Sequence, residues 1–138
     1  MTRDEILLST LEYYTIDPIN RRCVSDEGYC QYSPITALKK DLSEGCAIGR
    51  LLDKDLAREI DVKEWQIGID DLIAQGEYTL PEFMNKENSA FLYDVQVLHD
   101  INKNWKPNGL SFEGVTFVRN IIYKHDLNLN LFTKFLNN

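Results

Sequence analysis

Between Ser89 and Trp105 the chain is patterned at helical steps: Phe91, Val95, Leu98, Asn102 and Trp105 share one largely apolar face, and His99 lies at its margin beside Leu92 and Val95. Asn88 or Ser89 can cap the start, and Pro107 bars continuation at the far end. A helix with one apolar stripe is stable only when that stripe is covered by other elements, so helix packing must organise the chain.

The flanking segments carry the same period. Thr2-Arg3-Asp4-Glu5 has the form of a capping box, Ile6, Leu7, Leu11 and Tyr14 give the helix that follows an apolar face, and Asp17-Pro18 stops it between Tyr14 and Ile16. Cys46 to Leu52 predicts a helix that breaks at Asp53 and resumes from Asp55 to Ile60. Trp65, Ile67, Ile69, Leu72 and Ile73 predict a further helical piece closed by Gly76. Pro81 begins a short turn through Met84. Ser111 caps a last helix bearing Val115, Val118, Ile121, Ile122 and His125, and Leu129, Leu131, Phe132 and Phe135 form an apolar tail. Residues 35–42 read as a short helix or an irregular loop. The strand signal lies in Arg21-Arg22-Cys23-Val24 and Tyr29-Cys30-Gln31-Tyr32, which flank the turn-like Ser25-Asp26-Glu27-Gly28. The expected fold is therefore α+β: a mostly α-helical single domain over residues 1–138 with a small N-terminal β-hairpin.

A length of 138 residues suits one core, and no apolar run approaches the roughly 18 residues that a membrane span needs. Met1-Thr2-Arg3-Asp4-Glu5 has acids where a signal peptide has bases, so a cytoplasmic chain is expected, with Cys23, Cys30 and Cys46 as thiols. The net charge of -7 is unevenly spread: seven acids and five bases in residues 1–43, thirteen and five in 44–100, two and five in 101–138. Such an acidic middle repels phosphate backbones, which argues against nucleic acid as a partner. It either meets a basic partner or forms a solvated face, such as that around Asp53, Asp55, Glu59 and Asp61.

Three constellations carry chemistry. Gly45 suits a helix N-cap and Cys46 the first helical position, where unpaired N–H groups favour an anion. Cys46 there is either a packed core residue or a nucleophile with His99 as base, oriented by Asp94 or Asp100, as in a thiol-dependent hydrolase or transferase. Second, Cys23, Cys30, Cys46 and His99 match the donor count of a zinc site. They lack the C-x2-4-C knuckle, so no metal or cofactor is expected. Third, Arg21, Arg22 and Arg50 stand near Tyr29, Tyr32, Trp65 and Trp105 in the reading of the chain. Arginine and aromatic residues anchor protein interfaces and anionic-ligand pockets. The binding residues expected are Arg21, Arg22, Cys30, Tyr32, Cys46, Arg50, His99 and Trp105. Phosphate-binding loops, dinucleotide glycine fingerprints, Gly-x-Ser-x-Gly elbows and His-Glu-x-x-His motifs do not occur. Asp26-Glu27-Gly28-Tyr29-Cys30 departs from the Asp-Gly-x-Cys nucleophile of ovarian-tumour-type deubiquitinases.

Tyr13-Tyr14, Arg21-Arg22, Gly28-x-Cys30-x-Tyr32, Cys46-Ala47-Ile48-Gly49-Arg50-Leu51-Leu52, Leu80-Pro81, Leu98-His99-Asp100 and Asn104-Trp105 are spread over most of the chain. In these motifs it resembles a group of small phage, prophage and plasmid proteins of unknown function. The resemblance implies a mobile-element origin and the cytoplasm of an infected bacterium, where such proteins act by binding host or defence components. It supplies no catalytic residue. The expected function is that of a phage-type accessory protein binding a host or defence protein or a small anionic ligand.

Overall fold

Thr2 begins the first helix as its chemistry dictates: its Oγ1 accepts the Glu5 N–H at 3.1 Å, and Glu5 Oε1 accepts the Thr2 N–H at 3.4 Å. The structure, a computed structural model, describes residues 1–25, 27–34 and 44–137. Seven α-helices run in order among them: α1 (Arg3–Tyr14), α2 (Pro18–Arg21), α3 (Lys54–Lys63), α4 (Ile69–Gln75), α5 (Ser89–Asp100), α6 (Phe112–Lys124) and α7 (Thr133–Leu136). Strands β1 (Trp105–Lys106) and β2 (Gly109–Leu110) form one antiparallel pair, with Trp105 opposite Leu110 and Lys106 opposite Gly109. The fold is thus mostly helical with a small sheet. No helix among the described residues is long and apolar enough to cross a membrane.

Helix α5 is the hub, packing against α1, α4 and α6. It buries Phe91, Leu92, Val95, Gln96, Leu98 and His99. It stops at Asp100 rather than reaching Trp105, because its last carbonyls are taken by groups from elsewhere. Val97 O accepts the Ile101 N–H at 3.2 Å, which closes the helix. Leu98 O accepts the Trp105 indole N–H at 2.9 Å and Asn104 Nδ2 at 3.2 Å. Arg22 Nε donates to His99 O at 2.6 Å and an Arg22 Nη to Asp100 O at 2.8 Å, while the other Nη reaches Asn102 Oδ1 at 2.8 Å. A cation on the last carbonyls of a helix also meets the negative end of its dipole.

The small sheet lies near the C-terminus, not the N-terminus, which corrects the hairpin expected from the sequence. Among the described residues of 21–32 there is one isolated bridge, Val24 with Cys30. The would-be strands cannot extend because their backbone groups bond to helices and loops instead. Cys23 N–H goes to His99 Nε2, Gln31 O receives the Cys46 N–H, and the Tyr32 and Ser33 N–H groups reach the two Asp61 carboxylate oxygens at 2.9 and 2.7 Å. Asp61, expected on a solvated face, therefore holds this segment down.

The apolar stretch from Cys46 to Leu52 is a turn followed by a short 3-10 helix, Gly49–Leu51, and not an α-helix. Gly45 and Gly49 explain the geometry: a Cβ on either would lie 1.8 or 1.9 Å from the Tyr32 carbonyl oxygen, so both let this turn press onto the Tyr32 backbone. Asp53 caps α3, and Gly76, at φ 65°, ends α4 as expected. Trp65 and Ile67 fall in the connection before α4 instead of within it. The expectation for residues 35–42 lies outside the described residues. In the apolar tail Phe132 and Leu136 are buried, whereas Leu129 and Leu131 are exposed.

Replacing Arg22 tests the cap. Lysine has a point charge and no fork, so Arg22→Lys is expected to lose about 2 kcal/mol and Arg22→Ala about 3 kcal/mol, by urea unfolding. Equal stability of all three proteins would show that the guanidinium is dispensable.

Candidate functional site

The residues singled out from the sequence divide by what they touch. The Arg22 fork is filled by the end of α5, and burial pulls its pKa below the usual arginine range, with Asp100 opposing the shift. Arg21 and Arg50 both lie over the ring of Tyr13, at 4.6 and 5.0 Å from its centroid. Arg21 donates to Tyr13 O, Arg50 donates to Ser9 Oγ, and the buried Arg50 Nε has no hydrogen-bond partner. Trp105 is buried with its indole committed to Leu98 O, and its ring meets Tyr14 edge-on.

Tyr32 is buried by the clamp just described. Its hydroxyl donates to Ile67 O at 2.8 Å and accepts from Gln96 Nε2 at 3.0 Å, and Gln96 Oε1 in turn accepts the Ile69 N–H at the start of α4. Tyr14 donates its hydroxyl to Gly45 O at 2.7 Å. Burial raises the pKa of both phenols, Arg50 opposing the shift at Tyr14 and the Gln96 hydrogen bond opposing it at Tyr32.

The thiol chemistry is differently arranged from the sequence expectation. Cys30 and Cys46 are joined in a disulfide, and Cys23, outside that bond, is buried. Spacing along the chain conceals this pairing. The Cys46 N–H bonds to Gln31 O, which sets Cys46 beside the neighbouring Cys30 with a Cα–Cα distance of 5.9 Å. Cys46 Sγ also accepts the Gly49 N–H. His99 is fully buried; its Nε2 accepts the Cys23 N–H at 3.1 Å, so Nδ1 carries the proton and donates to Asp100 Oδ1 at 2.7 Å. The lone pair a general base would use is thereby occupied. Asp94 lies instead with His125 Nε2, at 2.7 Å, and Lys124. Among the described residues no group of three or more His, Cys, Asp or Glu could hold a metal ion.

Sequence reasoning missed the surface beside this buried network. A cavity of about 230 Å³ opens between Tyr29 and Cys30 on one wall, Tyr93, Val97 and Asp100 of α5 on another, and the start of α4 with Asp70 and Asp71. It adjoins a shallower depression of about 610 Å³ that runs past Glu64 and Trp65 to Gln75, the two sharing Gln66, Ile67, Gly68 and Asp71. Trp65 is 81% exposed, Tyr29 52% and Tyr93 42%. Gln66 follows Trp65 at φ 51°, a left-handed turn that joins α3 to α4, and its amide bonds to Glu27 at 3.0 Å. No Lys, Arg or His lines either hollow among the described residues. A larger depression of about 740 Å³ at α1, the β1–β2 turn and α7 differs in this respect: it holds Glu12 with Lys106 and Lys134, and Lys134 pairs with Glu12. The signal available in the sequence was a tryptophan flanked by acids, Glu64-Trp65 and Asp70-Asp71, in the most acidic third of the chain.

No protein-family model, curated protein or solved structure matches this chain. Its function is therefore argued from geometry.

Two measurements check the buried network. In denaturant without reductant, thiol titration is expected to find one reactive cysteine per chain, Cys23; three would mean that the Cys30–Cys46 bond is absent. In alkaline titration followed by tyrosinate absorbance, Tyr14 and Tyr32 are expected to stay protonated after exposed tyrosines have ionised. Because the unfolded chain loses these protons near pH 10 while the folded one keeps them, stability falls as pH rises above that value, by about 1.4 kcal/mol per pH unit for each phenol. Ionisation of all seven tyrosines in one step near pH 10 in the folded protein would contradict the burial of the two hydroxyls.

Proposed function

We propose that this chain is a phage-type accessory protein that acts by non-covalent binding of a host or defence protein of an infected bacterium. The observation that carries the reading is the exposure of Trp65, Tyr29 and Tyr93 along two adjoining hollows. Tryptophan and tyrosine supply large contact area at small entropic cost and dominate the energetics of protein interfaces. A tryptophan that serves only its own fold is buried, as Trp105 is. The likeness to small phage, prophage and plasmid proteins supports the bacterial setting. The acidic lining disfavours nucleic acid as the partner. A small anionic ligand is the weaker form of the reading, because Arg22 spends its fork on α5, and Arg21 and Arg50 rest on Tyr13. No observation favours a thiol-dependent enzyme, with Cys46 bonded to Cys30 and His99 Nε2 taken by a backbone N–H.

Expressed with an affinity tag in a bacterial host, the protein is expected to co-purify with one partner at fixed stoichiometry, identified by mass spectrometry. Trp65→Ala is expected to abolish the complex and to leave the unfolding free energy in urea within about 0.5 kcal/mol of wild type, as exposed substitutions do. A complex that survives Trp65→Ala unchanged would remove this surface from the function.

A further inference from the structure

We infer that the occupant of the Trp65 face is a basic protein segment, one whose lysine or arginine side chains enter the hollow between Tyr29, Tyr93 and the start of α4. This rests on the binding reading above and specifies its partner. The argument begins from charge that the fold leaves uncompensated. Lys63 pairs with Glu59, Lys124 with Asp94 and Lys134 with Glu12. Among the described residues Glu27, Glu64, Asp70 and Asp71 form no ion pair with a lysine or arginine, and the Asp100 carboxylate bonds to His99 Nδ1 and interacts with Arg22, whose fork is spent on the end of α5. These carboxylates border the two hollows or, as Glu27 does through Gln66, stand at their edge. Asp70 Oδ1 is buried without any hydrogen-bond partner. Negative charge is thus concentrated in a concave, partly desolvated place, and among the described residues no lysine or arginine lines either hollow.

The second observation is aromatic. Guanidinium and ammonium groups bind the faces of tryptophan and tyrosine, and the attraction strengthens where water is excluded. In this fold Tyr13 already takes two guanidiniums, which shows the same pairing used internally. In the hollows of the Trp65 face the aromatic rings are present, and among the described residues no lysine or arginine is. Rings and carboxylates together suit the amphipathic stem and charged head of lysine or arginine better than they suit an acidic or a purely apolar segment. The walls are also fixed before binding. Cys30 is tied to Cys46, and the Tyr32 clamp, Gln96 and Ile69 N–H lock α4 against α5. A preformed groove loses less entropy on binding.

The test uses the protein's own fluorescence, since it has two tryptophans and Trp105 is buried. A short peptide alternating arginine and serine is titrated into the intact protein, with an aspartate–serine peptide as counterpart. The basic peptide is expected to shift Trp65 emission saturably and the acidic one to leave it unchanged. Asp71→Lys and Trp65→Phe, the latter read by calorimetry, are each expected to weaken binding by about tenfold, whereas Glu113→Lys, on α6, leaves it unchanged. Asp71 and Glu113 are both exposed, so neither reversal threatens the fold. If Glu113→Lys weakens binding as much as Asp71→Lys, the peptide responds to net charge alone and the inference is overturned. If the peptide does not bind, yet the co-purified partner is lost with Trp65→Ala and kept with Asp71→Lys, the basic occupant is wrong and the binding reading stands. Loss of neither partner nor peptide in any variant overturns both.

Discussion

Everything in this structure leans on the C-terminal end of α5. A helix end leaves carbonyls without intrahelical partners, and burying them unpaired costs about 1 to 3 kcal/mol each. Here they are met by the indole of Trp105, the amide of Asn104 and the fork of Arg22. Those partners come from both sides of the chain. The helix terminus therefore fixes the N-terminal segment and the β1–β2 hairpin in one stroke. His99, in the same turn, completes the anchorage by receiving the Cys23 N–H. A conservative lysine could supply charge to this end but not three directed donors, so the site demands arginine.

The segment held in this way is irregular, and its burial sets the second constraint. Backbone groups inside a protein must be paired, and a chain that is neither helix nor sheet has to find partners one at a time. Residues 30–33 find them in Asp61, Cys46 and Cys23, while the Tyr32 side chain reaches through Gln96 to the N–H of Ile69. The Tyr32 backbone is pressed so closely by Gly45 and Gly49 that no side chain fits at either glycine. Cys30 and Cys46 meet as a consequence of this clamp. Being 6% and 0% exposed, they offer an attacking thiolate little access, which is the condition under which a disulfide resists exchange.

Local chemistry was legible wherever a residue acts on its own neighbours. The capping box of α1, the Ser111 cap, the Gly76 stop and the apolar stripes of α1, α5 and α6 all follow from short-range rules. The misses share one cause, which is long-range competition. Alternation around Ser25–Gly28 suggested strands, but Asp61, His99 and Cys46 claimed the hydrogen bonds a hairpin needs. The true hairpin turns at Pro107-Asn108, and its Asn108-Gly109 signal was hidden behind a helical pattern that seemed to run on to Trp105. Arginine and histidine marked as ligand-binding groups turned inward because α5 needed them there. Trp65 matched a helical period on paper, and no local rule distinguishes a core tryptophan from one left in water.

The division of arginines and acids gives the last step. The bases most able to neutralise the middle of the chain, Arg22 and Arg50, are drawn into the fold or onto Tyr13, and Lys63, Lys124 and Lys134 pair with Glu59, Asp94 and Glu12. The two hollows beside the start of α4 carry acids and no base among the described residues, and only part of that charge has a structural reason: Asp70 and Asp71 stand in the first turn of α4, where the dipole favours them. That benefit does not extend to Glu64 or Asp100, nor does it explain a tryptophan left 81% exposed among them. Selection for stability alone would bury or shrink the aromatic ring. Keeping it in water beside hollows whose described lining holds acids and no base is the arrangement of a surface that a cationic partner completes.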